Sequence, residues 1–145
     1  MADPISIVGA LSATASLIQL LGASIARVNG LRDKWREANL TICALASQLI
    51  LFKAALTKIH DWMPSSSDLI DASLLADLES CLACCDMIAR RVNAELSAFQ
   101  ALESGELQIS DKIRLLARKD DIKALQDMIF MQSNALNLLL TACNK

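Results

Sequence analysis

The chain has 145 residues, of which 54% are hydrophobic and 3% aromatic, with four Gly, two Pro and no Tyr. That size suits a single domain with its own core, and the abundance of Ala and Leu favours helix and excludes an all-β fold. With 14 basic residues against 16 acidic and a net charge of -2, the chain has no basic field to hold a nucleic-acid backbone, so nucleic acid is not expected as a partner.

The first predicted helix spans 4–28. Asp3-Pro4 supplies a cap and a first-turn proline, and Asn29-Gly30 reads as the stop. No charged residue lies between Pro4 and Ala26. A secretory signal is ruled against by Asp3, which stands where a positive n-region belongs. The stretch is long enough to span a bilayer but is diluted by Ser6, Ser12, Thr14, Ser16, Gln19 and Ser24.

A second helix is predicted over 31–61, where Leu31, Trp35, Ala38, Ile42, Leu45, Leu49, Phe52, Leu56 and Ile59 alternate spacings of four and three. It is expected to end near Asp61, ahead of Met63-Pro64 and the Pro64–Ser67 loop. A third helix, 72–104, follows Asp68 or Asp71 as cap. Its seam is Leu75, Leu78, Leu82, Cys85, Ala89, Val92, Leu96, Phe99 and Leu102, and Ser104-Gly105 closes it.

A short helix over 111–118 and a last one over 121–143 complete the chain, the latter opened by Asp120-Asp121 and carrying Ile122, Leu125, Ile129, Gln132, Leu136, Leu139 and Cys143 on its seam. Matching seams on the three long amphipathic helices predict an all-α fold. The expected architecture is an antiparallel bundle of four long helices and one short one, forming a single domain over 1–145. The apolar N-terminal helix is expected at its centre and short connections are expected to join neighbours. Core positions are Trp35, Ile42, Leu45, Leu49, Phe52, Leu56, Leu78, Leu82, Val92, Phe99, Ile122, Leu125, Ile129, Leu136 and Leu139. Leu138 and Leu140 widen the last stripe, toward either a partner or the central helix.

Both ends carry a family pattern. The opening Ala2-Asp3-Pro4-Ile5-Ser6-Ile7-Val8-Gly9-Ala10 and the closing Arg114-Leu115-Leu116-Ala117-Arg118-Lys119-Asp120-Asp121-Ile122-Lys123-Ala124-Leu125, with Ser133-Asn134-Ala135-Leu136-Asn137-Leu138-Leu139-Leu140, resemble the N-terminal domain that precedes STAND-type (NLR-like) receptors and ankyrin-repeat proteins of fungi. The resemblance implies a HeLo-like helical bundle, related to membrane-targeting modules of incompatibility and programmed cell death. It further implies a quiet cytoplasmic domain that homo-oligomerises when a C-terminal receptor or ankyrin module is triggered. Its N-terminal helix then meets the anionic lipid of the plasma membrane. No such C-terminal module lies within the chain.

Under that reading the membrane-inserting residues are Ile5, Ile7, Val8, Gly9, Leu11, Ala13, Leu17, Ile18, Leu20, Leu21, Gly22, Ile25 and Ala26. Small residues four apart, such as Gly9 with Ala13 and Gly22 with Ala26, suit close helix approach in lipid, and equally a helix fitted into a crowded core. Arg27, Arg32, Lys34 and Arg36 follow as candidate headgroup contacts, and Lys112, Arg114, Arg118, Lys119 and Lys123 form a second basic run. The alternative is a soluble homo-oligomerisation or autoinhibitory module whose first helix never leaves the core.

The remaining chemistry is sparse. Cys43, Cys81, Cys84, Cys85 and Cys143 read as reduced thiols of a cytosolic protein, and Cys81-x-x-Cys84-Cys85 supplies too few ligands for a zinc site. His60, beside Asp61, reads as support for a helix C-terminus, and Trp62 as a bundle cap or an interface residue. With no nucleophile–base pair and no phosphate-cradling glycine loop, neither an enzyme nor a cofactor is expected. The acidic run Asp68, Asp71, Asp77, Glu79 and Asp86 is a solvated face or a contact for a basic patch on another subunit.

Overall fold

A computed structural model describes residues 4–34, 39–65, 70–103 and 109–143, with side-chain surroundings for 7–30, 43–65, 70–97 and 121–142. It contains four helices, α1 (Pro4–Lys34), α2 (Asn39–Ser65), α3 (Ala72–Glu103) and α4 (Ile109–Cys143), and no strand occurs among the described residues. The helices pack as a bundle in the ring order α1, α2, α4, α3.

Local chemistry sets the ends. Pro4 opens α1, where its missing N–H is not needed. Asp71 caps α3, its carboxylate accepting from the Leu74 N–H at 2.7 Å. Pro64 sits in the last turn of α2, beyond the expected end at Asp61. A proline that late removes one terminal bond, and the extra turn puts Met63 wholly inside the core.

Three boundaries differ from the expected ones. The Asn29-Gly30 stop is not used: α1 runs through it to Lys34, and Gly30 has no positive φ. Leu31 therefore belongs to α1, the second helix begins at Asn39 rather than 31, and Trp35 and Ala38 lie outside the described residues. The expected helices 111–118 and 121–143 are one continuous α4, because no Gly or Pro separates them and Asp120-Asp121 does not interrupt the backbone hydrogen bonds.

Packing follows heptad seams. Leu45, Leu49, Phe52, Leu56 and Ile59 of α2 are buried, as are Leu75, Leu78, Leu82, Cys85, Ala89, Val92 and Leu96 of α3, and Ile122, Leu125, Ile129 and Leu136 of α4; Leu139 packs partly buried against them. The Ile42 and Phe99 side chains lie outside the described residues. Fully burying a side chain of this size contributes about 1.5–3 kcal/mol.

The apolar first helix is not central. It occupies a corner between α2 and α3 and buries one stripe, Ile7, Ala10, Thr14, Leu17, Leu21, Ser24 and Val28. Leu11, Ile18, Leu20 and Ile25 flank that stripe partly buried, and the opposite face meets solvent. Antiparallel pairing of α1 with α2 is fixed by Thr14 beside His60 and by Gly22, where an added Cβ would lie 3.7 Å from Lys53 Nζ. Gln132 of α4 reaches Cys81 and Cys85 of α3 and joins the two helices there. Helices α2 and α3, consecutive in sequence, stand across the diagonal rather than side by side.

Candidate functional site

The site nominated by sequence is α1 with the basic residues at its end. Among the described residues, Ile7–Gly30 is the one helical segment long and apolar enough to cross a membrane, and only a third of it is buried. Of the nominated residues, Ile7, Leu17 and Leu21 are in the core; Leu11, Ile18, Leu20 and Ile25 are partly buried against it. Gly22 is half-buried, and Val8, Gly9, Ala13 and Ala26 are exposed. The Ile5 side chain lies outside the described residues.

The exposed side of α1 is unusual. It presents Val8, Gly9, Ser12, Ser16, Gln19, Ala23 and Ala26 without one charge. A half-buried helix ordinarily carries charge on its outer face. The others do: Lys58 and Asp61 on α2, Asp77, Glu79 and Arg90 on α3, Asp121, Lys123 and Asp127 on α4 are all exposed.

The buried side is unusual in the opposite sense. Three of its seven seam positions are Ala10, Thr14 and Ser24, all under 5% exposed, whereas every buried position of α2 among the described residues is apolar. The Ser24 hydroxyl is buried and has no hydrogen-bond partner among the described residues. An α1 built this way docks with less apolar burial than a Leu-rich helix of equal length would.

Two polar links supplement that docking. The Thr14 hydroxyl donates to the Leu11 and Ala10 carbonyls at 2.9 and 3.1 Å. Its oxygen also lies 2.9 Å from His60 Nδ1, and it accepts there in the tautomer that carries the proton on Nδ1. His60 thus ties α2 to α1, a contact the sequence reading did not find. Toward the other end, Arg27 Nη1 donates to Asn93 Oδ1 at 2.6 Å and to Ser97 Oγ at 3.0 Å of α3. Arg27, nominated for lipid headgroups, is therefore held by α3 in this arrangement. The Arg32 and Lys34 side chains and all of Arg36 lie outside the described residues.

The thiols are divided by burial. Gln132 Nε2 donates to the Cys81 carbonyl at 3.3 Å and to Cys85 Sγ at 3.5 Å. Burial pushes the Cys85 thiol up to about 12; the Gln132 bond opposes the rise, and Cys84 and Cys81 add to it. Cys81 is raised by burial first, then by Cys84 and Asp77. Cys84 is exposed and Cys43 half-buried, and the Cys143 side chain lies outside the described residues. No group of three or more His, Cys, Asp or Glu able to hold a metal occurs among the described residues. Trp62 is half-buried against the core, its Nε1 without a partner among the described residues. Within the acidic run, Asp71 serves as helix cap and Asp86 pairs with Arg90 at 2.8 Å, while Asp77 and Glu79 are exposed. In the second basic run, which lies on α4, Lys123 is the one residue whose side-chain surroundings are described, and it is exposed.

No protein-family model, no curated protein and no solved structure matches this chain.

Proposed function

We propose that the chain is a signalling effector domain that assembles with itself and uses α1 to target or permeabilise a membrane. The observation that carries this reading is that the Pro4–Ala26 part of α1 lacks charge on both faces. From Pro4 to Ala26 its solvent side is uncharged, and its docked side is an interrupted seam containing Thr14 and Ser24. Once undocked, such a helix has no ionised side chain to desolvate on entering hydrocarbon, and each one avoided there is worth about 2.5–3.5 kcal/mol at the helix centre. Pro4–Ala10, part of the opening that resembles a HeLo-like domain, falls on this same helix. Release requires breaking the links from Thr14 to His60 and from Arg27 to Asn93 and Ser97, which hold α1 at rest.

Those same links support a second reading, a soluble assembly or autoinhibitory module in which α1 stays docked. Charge on the outer face separates the two. Ser16→Glu and Ala23→Glu alter exposed positions, so the fold is retained, but each places a carboxylate within the inserting segment. Dye release from anionic liposomes is expected from the wild-type chain and lost in both variants. Release that is absent in the wild type favours the soluble module, and equal release from all three overturns insertion through α1.

A further inference from the structure

Helix α3 carries three thiols within one turn and a half, Cys81, Cys84 and Cys85, and packing gives each a different surrounding. Cys84 is exposed, Cys81 half-buried and Cys85 buried, and all three are free thiols. Positions three apart on a helix lie one above the other on the same face. Cys81 and Cys84 therefore face the same way. Their Cα atoms stand about 5 Å apart by helix geometry, inside the range of about 4.4–6.8 Å that disulfides span. Their Cβ atoms, about 5–6 Å apart on an undisturbed helix, have to close to about 3.5–4.5 Å. A bridge is within reach of the two side chains, with this one turn drawn tighter.

Burial sets the order in which the thiols react. A dissolved reagent meets Cys84 first, because a thiolate has to be reached before it can attack. Burial raises the Cys81 thiol, and Cys84 and Asp77 add to the rise. Cys81 is thus the slower thiol, suited to act second, on a sulfur already brought beside it. Cys85 is turned inward, where its sulfur accepts from Gln132 Nε2 at 3.5 Å. The same Nε2 donates to the Cys81 carbonyl at 3.3 Å. The turn that a bridge tightens is therefore also the turn that α4 grips.

We propose that Cys81 and Cys84 are a reversible dithiol–disulfide pair, oxidised by exchange with a small disulfide of the glutathione class and coupled through Gln132 to the contact between α3 and α4. In the first step the Cys84 thiolate attacks one sulfur of the small disulfide, a mixed disulfide forms, and one small thiolate leaves and takes a proton from solvent. In the second, Cys81 gives its proton to solvent and attacks the Cys84 sulfur. The Cys81–Cys84 bond forms and the second small thiolate departs. The pair loses two electrons and the small disulfide gains them, and excess small thiol reverses both steps. The pair acts independently of any membrane role of α1.

Incubation of the whole chain with oxidised glutathione tests it, the remaining thiols being blocked in denaturant and located by mass spectrometry of digests. The wild type is expected to end with Cys81 bridged to Cys84 and Cys85 blocked by the reagent, and to return to free thiols in excess reduced glutathione. Cys81→Ser is expected to stop at a glutathione adduct on Cys84, and Cys84→Ser to lose the bridge. A wild type that keeps the adduct on Cys84 with Cys81 free overturns the proposal, as does a bridge from Cys84 to a second chain or to Cys85. Hydrogen exchange reads the coupling: amides of α4 around Gln132 are expected to exchange about tenfold faster in the bridged chain. Equal exchange in the two forms overturns the link to α4.

Discussion

Thr14 and His60, 46 residues apart, meet across the α1–α2 interface through a 2.9 Å hydrogen bond. With the threonine proton directed at carbonyls of its own helix, His60 is expected to supply the proton from Nδ1. Two outcomes follow. Nitrogen-detected NMR of the neutral imidazole finds Nδ1 protonated, and Thr14→Val, which removes the acceptor and leaves a half-buried donor unpaired, lowers unfolding free energy by about 1–2 kcal/mol. A neutral ring protonated at Nε2 contradicts the assignment.

Gly30 separates the two ways of reading Asn29-Gly30. A helix stop would place Gly30 in the left-handed region, where alanine is strained. It is instead helical within α1, has no positive φ, and a Cβ added there meets nothing within 4 Å. Gly30→Ala is therefore expected to raise stability by about 1 kcal/mol through helix propensity. Destabilisation in urea melts would restore the stop.

How much of this was legible in the sequence depended on contrast. The α3 seam stands out because large apolar residues alternate with Asp77, Glu79, Asp86 and Arg90, and the sequence signals at Asp71 and Ser104-Gly105 bracket it; the helix is found within one residue of the expected end. On α1 nearly every residue is apolar or small, so the spacing 7, 10, 14, 17, 21, 24, 28 is present but has no polar background to show it. That uniformity suggested a helix enclosed on all sides, whereas one stripe is buried with its flanks partly so. The break at 39 was displaced because Asn29-Gly30 has the composition of a stop without its conformation, and Asp120-Asp121 that of a cap without a chain reversal. Links such as Arg27 to Asn93 and Thr14 to His60 depend on which helices are neighbours. The diagonal placement of α2 and α3 carries no local signature. Leu138 is exposed, and placing it outside required knowing that 122, 125, 129 and 136 face inward.

The thiols predict an ordered reactivity. Cys84 is exposed, and Cys85 is buried with its thiol pushed up to about 12. A thiol-specific reagent at pH 8 is expected to label Cys84 rapidly and Cys85 only as fast as the chain unfolds, read by mass spectrometry of digests. The sign of the pH dependence follows from linkage. The folded thiol titrates above its ordinary value of 9.0, so its contribution is complete below about 9 and declines as pH rises toward about 12, where the unfolded chain ionises first. Cys85→Ala is thus expected to lose less stability than the wild type between those limits, and parallel stability curves would rule out this titration.

Ser24 and Arg27 predict opposite effects on one process. Ser24 is fully buried on the docked stripe of α1 and its hydroxyl has no partner among the described residues. Ser24→Ala removes that unpaired group with little change in volume and is expected to add about 1 kcal/mol. Arg27→Met keeps most of the aliphatic stem but removes the bonds to Asn93 and Ser97, and is expected to subtract about 1–2 kcal/mol. If α1 must undock before it reaches a membrane, the first substitution slows release from anionic liposomes and the second speeds it, in the order of their melting temperatures. The ordering matters more than either magnitude, because general destabilisation elsewhere supplies a control. Leu136→Ala, a core truncation on α4, which stands across the ring from α1, costs about 2–5 kcal/mol and is expected to increase release less per unit of lost stability than Arg27→Met. Equal slopes for the two would mean that global unfolding, and not the departure of α1, opens the way to the membrane.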